Sequence, residues 1–207
     1  MTSIQGIYAI TDPGLIADNQ LYDAVSQAID GGLGVLQYRN KTASESLQLR
    51  QAEQLKKLCE LNQILYLIND NCQLAKAVDA DGVHIGKDDG AITEARQILG
   101  EQAVIGVSCY NQIENARTAE QDGANYVAFG RFFGSQTKPD TVQAYPEMIN
   151  EAKSQLTLPI VAIGGITADN AGILVEAGVD ALAVIHGIFG QADIKQACLA
   201  LKAHFNK

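Results

Sequence analysis

The sequence predicts a barrel of eight parallel strands, each followed by a helix, and three observations lead there. Short runs rich in Val, Ile, Leu and Ala recur eight times along 207 residues, about 26 residues per unit. The runs are almost continuously apolar rather than alternating, as expected of parallel strands buried on both faces. The segments between them have helical periodicity with recognisable start and stop residues. The class is therefore α/β, a single (β/α)8 TIM barrel over residues 1–207, near the small end for this fold. A doubly wound open sheet is the competing architecture. It calls for a G-x-G-x-x-G turn after the first strand, where this chain has Thr11-Asp12-Pro13-Gly14.

The predicted strands cover 6–10, 34–38, 64–68, 82–85, 103–107, 126–129, 160–163 and 181–185. After the second strand, Thr42 and Glu45 have capping-box spacing ahead of Leu47, Ala52, Leu55 and Leu58, which share one helical face. After the third, Asp70 opens the helical segment 71–78 and could act simply as its cap. Asn111 and Glu114 repeat the capping spacing after the fifth strand, ahead of a helix ending near Asp122-Gly123. Gly31, Gly100, Gly123 and Gly178 fall where helices should stop in a left-handed residue. The longest irregular insert, 131–145, mixes Gly, Ser, Gln, Thr, Lys and Pro and reads as a mobile functional loop. No composition shift marks a second domain.

Composition narrows the partners. A net charge of −9 and a pI near 4.7 argue against a nucleic-acid or anionic-membrane binder. No apolar stretch reaches the roughly 20 residues that span a bilayer. Four cysteines, Cys59, Cys72, Cys109 and Cys198, have no C-x-x-C or zinc-like spacing, and no secretory signal precedes the first strand. Reduced thiols in a cytoplasmic protein are the expectation. The chain leaves room for a homo-oligomer.

In such a barrel the chemistry belongs to the C-terminal strand ends. There the sequence places Gln37, Arg39 and Lys41, then Asn69 and Asp70, then Asp88 and Asp89, then Ser108, then Ser135, Gln136, Thr137 and Lys138. Asp70 with Asp89 is the natural pair for Mg²⁺, a hard ion that keeps room for water and phosphate oxygens; Asp88 competes with Asp89. Arg39, Lys41 and Lys138 would offset the remaining phosphate charge. Gly164-Gly165 and His186-Gly187 follow strands seven and eight, where barrels bind phosphate through backbone N–H groups. His84 reads as a hydrogen-bonded structural residue and His204 as solvated. Cys109 lies near the site without a histidine partner, so no nucleophile is expected of it.

These residues sit in a series of motifs: YAITD from Tyr8, QYRNK from Gln37, IND ending at Asp70, DGVHIGKDD ending at Asp89, and IGVS ending at Ser108. FGRFFGSQTKP from Phe129, AIGGI from Ala162 and AVIHGIF from Ala183 follow. In this order they resemble the thiamine-phosphate synthase (thiamin phosphate pyrophosphorylase) family over essentially the whole chain. The resemblance implies a Mg²⁺-dependent (β/α)8 enzyme. Such an enzyme joins 4-amino-2-methyl-5-(diphosphooxymethyl)pyrimidine to 4-methyl-5-(2-phosphoethyl)thiazole, giving thiamine monophosphate and pyrophosphate by dissociative substitution.

By the same resemblance the stretch Gln37, Tyr38, Arg39, Asn40 and Lys41, with Asn69, Ser108 and Lys138, contacts the pyrimidine diphosphate. Asp70 and Asp89 are the magnesium ligands, and Arg39, Lys41, Ser108 and Lys138 are the catalytic set. Ser135, Gln136 and Thr137 meet the thiazole phosphate, as do Gly165, Ile185 and His186. Three positions depart from the family pattern: Gly134 replaces a proline, Ser135 a threonine, and His186 a common serine. His186 motivates the alternative of a thiazole-phosphate tautomerase or regulatory barrel. A sugar-phosphate isomerase or epimerase would instead want a strand-end base and a neutral acid, and a non-catalytic phosphate binder is the last rival.

Overall fold

Continuous apolar runs can bury both faces only inside a layered structure, and here they close on themselves. The computed structural model describes residues 4–86, 91–134 and 143–206. Within them, β1 (Gly6–Ile10), β2 (Val35–Tyr38), β3 (Leu65–Asn69), β4 (Gly82–Ile85), β5 (Val104–Tyr110), β6 (Tyr126–Gly130), β7 (Ile160–Ile163) and β8 (Ala181–Val184) pair in sequence order as a closed parallel barrel. The ring is completed by β1 and β8, with Ile7 opposite Leu182 and Ala9 opposite Val184. Around it run α1 (Leu21–Asp30), α2 (Glu45–Leu61), α3 (Cys72–Ala77), α4 (Ile92–Leu99), α5 (Ile113–Gln121), α6 (Glu147–Gln155), α7 (Ala171–Glu176), α8 (His186–Phe189) and α9 (Ile194–Lys202). This is the predicted (β/α)8 architecture. No described helix is long and apolar enough to cross a membrane.

Strand alternation divides the interior in two. Ile7, Ala9, Leu36, Tyr66, Ile68, Val127 and Leu182 pack outward against the helices in one core. Tyr8, Ile10, Val35, Leu67, Tyr126, Val161 and Ala183 fill the barrel lumen in another. Each helix contributes an apolar stripe, as in α1, where Leu21, Ala24, Val25 and Ala28 follow the i, i+3, i+4, i+7 rule.

Several local expectations are corrected. The α2 cap is Ser44, whose hydroxyl accepts from Leu47 N; Thr42 instead turns back onto Asn40 Oδ1, so its spacing to Glu45 is incidental. The α5 cap position is Gln112, while Asn111 donates to the Gln143 carbonyl. Asn71, not Asp70, caps α3 through Leu74 N at 2.9 Å. At the end of α1 Gly31 stays right-handed, and Gly32 takes the left-handed turn at φ +90°. Gly100, Gly123 and Gly178 do adopt positive φ. His204 is half-buried rather than solvated, with Nε2 on the Ala168 carbonyl at 2.8 Å.

The N-terminal rim is tied by side chains. Asp180 Oδ2 accepts from Ile160 N at 2.6 Å and from Lys153 Nζ at 2.5 Å. Asn125 Oδ1 takes Ile105 N and a guanidinium N–H of Arg96. Lower in the lumen, Gly106 lies under the Tyr126 ring so closely that a Cβ would come 1.9 Å from Cζ. Gly106→Ala should therefore destabilise the barrel by about 3 kcal/mol, the cost of overpacking a rigid core. Denaturant unfolding would show this, and an unchanged midpoint would disprove the tight packing.

Candidate active site

The C-terminal mouth of the barrel opens into a cavity of about 320 Å³. Its floor comes from inward residues at the ends of seven strands: Ile10, Gln37, Asn69, His84, Ser108, Ala128 and Ile163. Under that floor are Tyr8 and Tyr126, both essentially inaccessible. The two phenols meet edge to face, and their hydroxyls hydrogen-bond at 2.8 Å. Burial pushes both phenols far above their ordinary range, so they remain neutral. Gln37 Nε2 donates to Tyr8, His84 Nδ1 meets Tyr126, and His84 Nε2 meets Ser108 Oγ at 2.9 Å.

On one side of the mouth lies the charged rim. Thr11, 2% exposed, staples the ends of β1 and β2: its hydroxyl accepts from Arg39 N at 2.8 Å and donates to the Arg39 carbonyl at 3.1 Å. That fixes the backbone from which the Arg39 side chain reaches the cavity, where its guanidinium is 3.6 Å from Asp12. Past β3, Asp70 adopts φ +59°, a left-handed conformation that a short polar side chain tolerates. Its Oδ2 takes Lys41 Nζ at 2.8 Å and Asn69 Nδ2 at 2.5 Å. Lys41 is half exposed, so water screens the attraction and the pair adds little stability. What it does provide is a charged cluster at the rim.

The opposite wall is backbone. Gly164 and Gly165 have φ of +107° and +65°, and a Cβ on Gly165 would stand 2.3 Å from the Gly134 carbonyl oxygen. The carbonyls of Ile163 and Gly164 accept from Phe132 N and Phe133 N, and that of Gly165 from Asn170 Nδ2. The N–H groups of Gly165 and Ile166 find no acceptor among the described residues. Beside them starts α8, whose first N–H groups, on His186 and Gly187, have no intrahelical partner. Gly187 is needed there because a Cβ would come 2.3 Å from the Ile166 carbonyl. These donors, pointing to no internal acceptor at the edge of the cavity, form a cradle suited to an anion.

Of the expected site residues, the cavity lining brings together Gln37, Arg39, Asn69, Ser108, Gly165, Ile185 and His186. Lys41 and Asp70 form an ion pair beside it. The side chains of Tyr38 and Asn40 turn elsewhere, both onto Gln51 Oε1 of α2, at 2.7 and 3.2 Å. Asp88, Asp89, Ser135, Gln136, Thr137 and Lys138 lie outside the described residues, as does most of the 131–145 segment. His186 is exposed, with its ring against Gly190. Sequence reasoning missed Tyr8, Thr11, Tyr110 and Tyr126. Tyr110 lines the cavity because β5 runs two residues beyond Ser108 through a register shift, which re-aims the chain. It also treated His84 as purely structural, whereas His84 is both hydrogen-bonded and part of the lining.

The sequence and the overall fold are shared with known proteins. The sequence pattern of thiamine monophosphate synthase matches residues 7–188. The chain belongs to that family. A thiamine-phosphate synthase of Nitrosococcus oceani is 48% identical over 99% of this chain and 94% of its own length. One from Chromobacterium violaceum is 47% identical over 98% and 97%. In structure, the thiamine phosphate pyrophosphorylase of Pyrococcus furiosus superposes with a TM-score of 0.89 at 31% identity, over 99% of this chain and 97% of that one. The family assignment thus agrees with a barrel whose mouth joins a polar floor, a charged rim and an amide cradle.

Cys109 is fully buried on the outer side of β5, and burial pushes its thiol up to about 12, as it does those of Cys59 and Cys198. At pH 8 all three are protonated and shielded. Alkylation with iodoacetamide followed by mass spectrometry should mark half-buried Cys72 first; early modification of Cys109 would contradict the packing.

Proposed function

We propose that this chain transfers the 4-amino-2-methylpyrimidin-5-ylmethyl group from its diphosphate to the ring nitrogen of 4-methyl-5-(2-phosphoethyl)thiazole. The products are thiamine monophosphate and pyrophosphate, made by a cytoplasmic transferase. Family membership supports the reading. The observation that carries it is the two-ended cavity. One end has a ring-sized polar floor and charged rim, with Gln37, Asn69, Ser108 and Arg39. The other has an amide cradle at Gly165, Ile166, His186 and Gly187. Two substrates that each end in a phosphate group call for such a pair of ends.

The reaction breaks the methylene C–O bond, the electron pair leaving with pyrophosphate. The thiazole nitrogen then supplies the pair for the new C–N bond. An aminopyrimidine delocalises the positive charge at the methylene carbon, so separation before capture is chemically sound. Arg39 and Lys41 offset the negative charge that grows on the leaving oxygen. Ser108 donates to the same group, and the cradle holds the second substrate so that its nitrogen faces the carbon. No general base is needed, because the nucleophile is already an unprotonated nitrogen.

Asp70 has the hard oxygen donors and partial exposure that suit Mg²⁺, which uses one or two carboxylates and completes its shell with water and phosphate. Asp70, with Asp89 from the family motif, would hold that ion, and when bound it would neutralise departing pyrophosphate.

Mixing both substrates with Mg²⁺ should give thiamine phosphate by mass spectrometry, and leaving out any one component should abolish it. Thiazole tautomerisation without coupling would favour the alternative reading that His186 motivates. Asp89→Ala should lower turnover about a hundredfold, as loss of a charge-stabilising group does. A near-normal rate at saturating Mg²⁺ would remove Asp89 from the site.

A further inference from the structure

Five side chains from five strands make one continuous hydrogen-bonded chain through the barrel floor. Gln37 Nε2 reaches the Tyr8 hydroxyl at 2.5 Å, Tyr8 reaches Tyr126 at 2.8 Å, and Tyr126 reaches His84 Nδ1 at 2.9 Å. His84 Nε2 closes the run on Ser108 Oγ at 2.9 Å. Gln37, His84 and Ser108 line the cavity, while the two tyrosines lie beneath and do not.

Proton counting restricts this chain. Each hydroxyl has one hydrogen to give, a neutral imidazole has one N–H, and a buried donor left without an acceptor is costly. With His84 neutral, two arrangements keep every bond. In the first, Gln37 donates to Tyr8, Tyr8 to Tyr126, Tyr126 to His84 Nδ1, and His84 Nε2–H to Ser108. Ser108 then has its hydrogen for the cavity, and Gln37 Oε1 remains an acceptor. In the second, every bond reverses: Ser108 can only accept from the cavity, and Gln37 offers N–H. While His84 is neutral, the two ends therefore have opposite polarity.

We propose that this relay couples recognition at the two ends of one ligand. A phosphate oxygen only accepts, so an anionic group at Ser108 selects the first arrangement. Gln37 is thereby set as an acceptor, matched to an exocyclic ring amine and mismatched to a ring carbonyl. The inference rests on the proposed reading, whose pyrimidine diphosphate carries both groups. Tyr8 and Tyr126 are positioning residues: they act through Gln37 and Ser108 and meet no substrate.

The test compares kcat/KM for the 4-amino substrate and its 4-oxo counterpart, both as diphosphates. Pyrophosphate release is followed with Mg²⁺ and the thiazole phosphate present. The full chain should prefer the amine by about a hundredfold or more, since a site built for one hydrogen-bond polarity rejects the other. Tyr126→Phe should cut that preference about tenfold, and Tyr8→Phe should do the same. The double variant should lose no more than either single one, because one break opens the whole relay. Comparing variants with the unchanged chain cancels the intrinsic difference in substrate reactivity. Packing roles alone would slow both substrates equally and leave the preference intact, which would overturn the proposal.

A second readout is independent of turnover and of the two tyrosine variants. Nitrogen-15 spectra of the unchanged chain with Mg²⁺ and inorganic pyrophosphate should show His84 as the Nε2–H tautomer, assigned with His84→Gln. The Nδ1–H tautomer, or a doubly protonated ring, would refute the relay even if synthesis occurs. Absence of pyrophosphate release from the unchanged chain would instead defeat the reading of the reaction.

Discussion

Two tyrosine hydroxyls in contact at the centre of an apolar lumen impose the strongest constraint on this barrel. A buried hydroxyl without a partner costs several kcal/mol by transfer estimates, so Tyr8 and Tyr126 must satisfy each other and recruit further polar groups. Gln37 and His84 are those groups, and both stand on the cavity side. Space for the Tyr126 ring requires a residue without a side chain on the neighbouring strand, which Gly106 supplies. The His84 ring also stacks on Tyr126, with centroids 5.5 Å apart. Packing and polarity thus meet in one layer, and that layer is the floor of the mouth.

Charge is organised differently. The chain carries a net −9, yet the rim of the mouth gathers Arg39 and Lys41, each near an acid, Asp12 and Asp70. Local cations in an acidic protein can focus a field on a small anionic ligand without attracting large polyanions. The opposite wall is built largely from backbone around Gly164 and Gly165, with Arg131 beside Gly164. There, backbone amides held by glycines present fixed dipoles, whose direction the fold sets rather than a rotamer. One wall can adjust as its long side chains move, while the other is rigid.

The parts of this arrangement differed in how far they could be read from residues. Strand positions were legible to within a residue, because burial on both faces leaves a continuous apolar run; the exception is β5, which runs three residues past the expected end to Tyr110. Helix starts were less so: Ser44 and not Thr42 caps α2, because a cap is chosen by where the backbone becomes extended. Gln37, Arg39, Asn69 and Ser108 could be placed at the mouth from their position at strand ends, and the cavity contains them. Tyr38 sits within the same motif, but alternation turns it outward to Gln51.

Periodicity, strand positions and motif order were sufficient, without coordinates, for the barrel and its family. These are properties of local pattern repeated along the chain. Folding alone decided that residues 8, 37, 84, 108 and 126 would join in one hydrogen-bonded line, and that Gly165 would pack on Gly134. Such contacts depend on strand register and stagger around a closed ring. A linear pattern does not encode which inward side chains will share a layer.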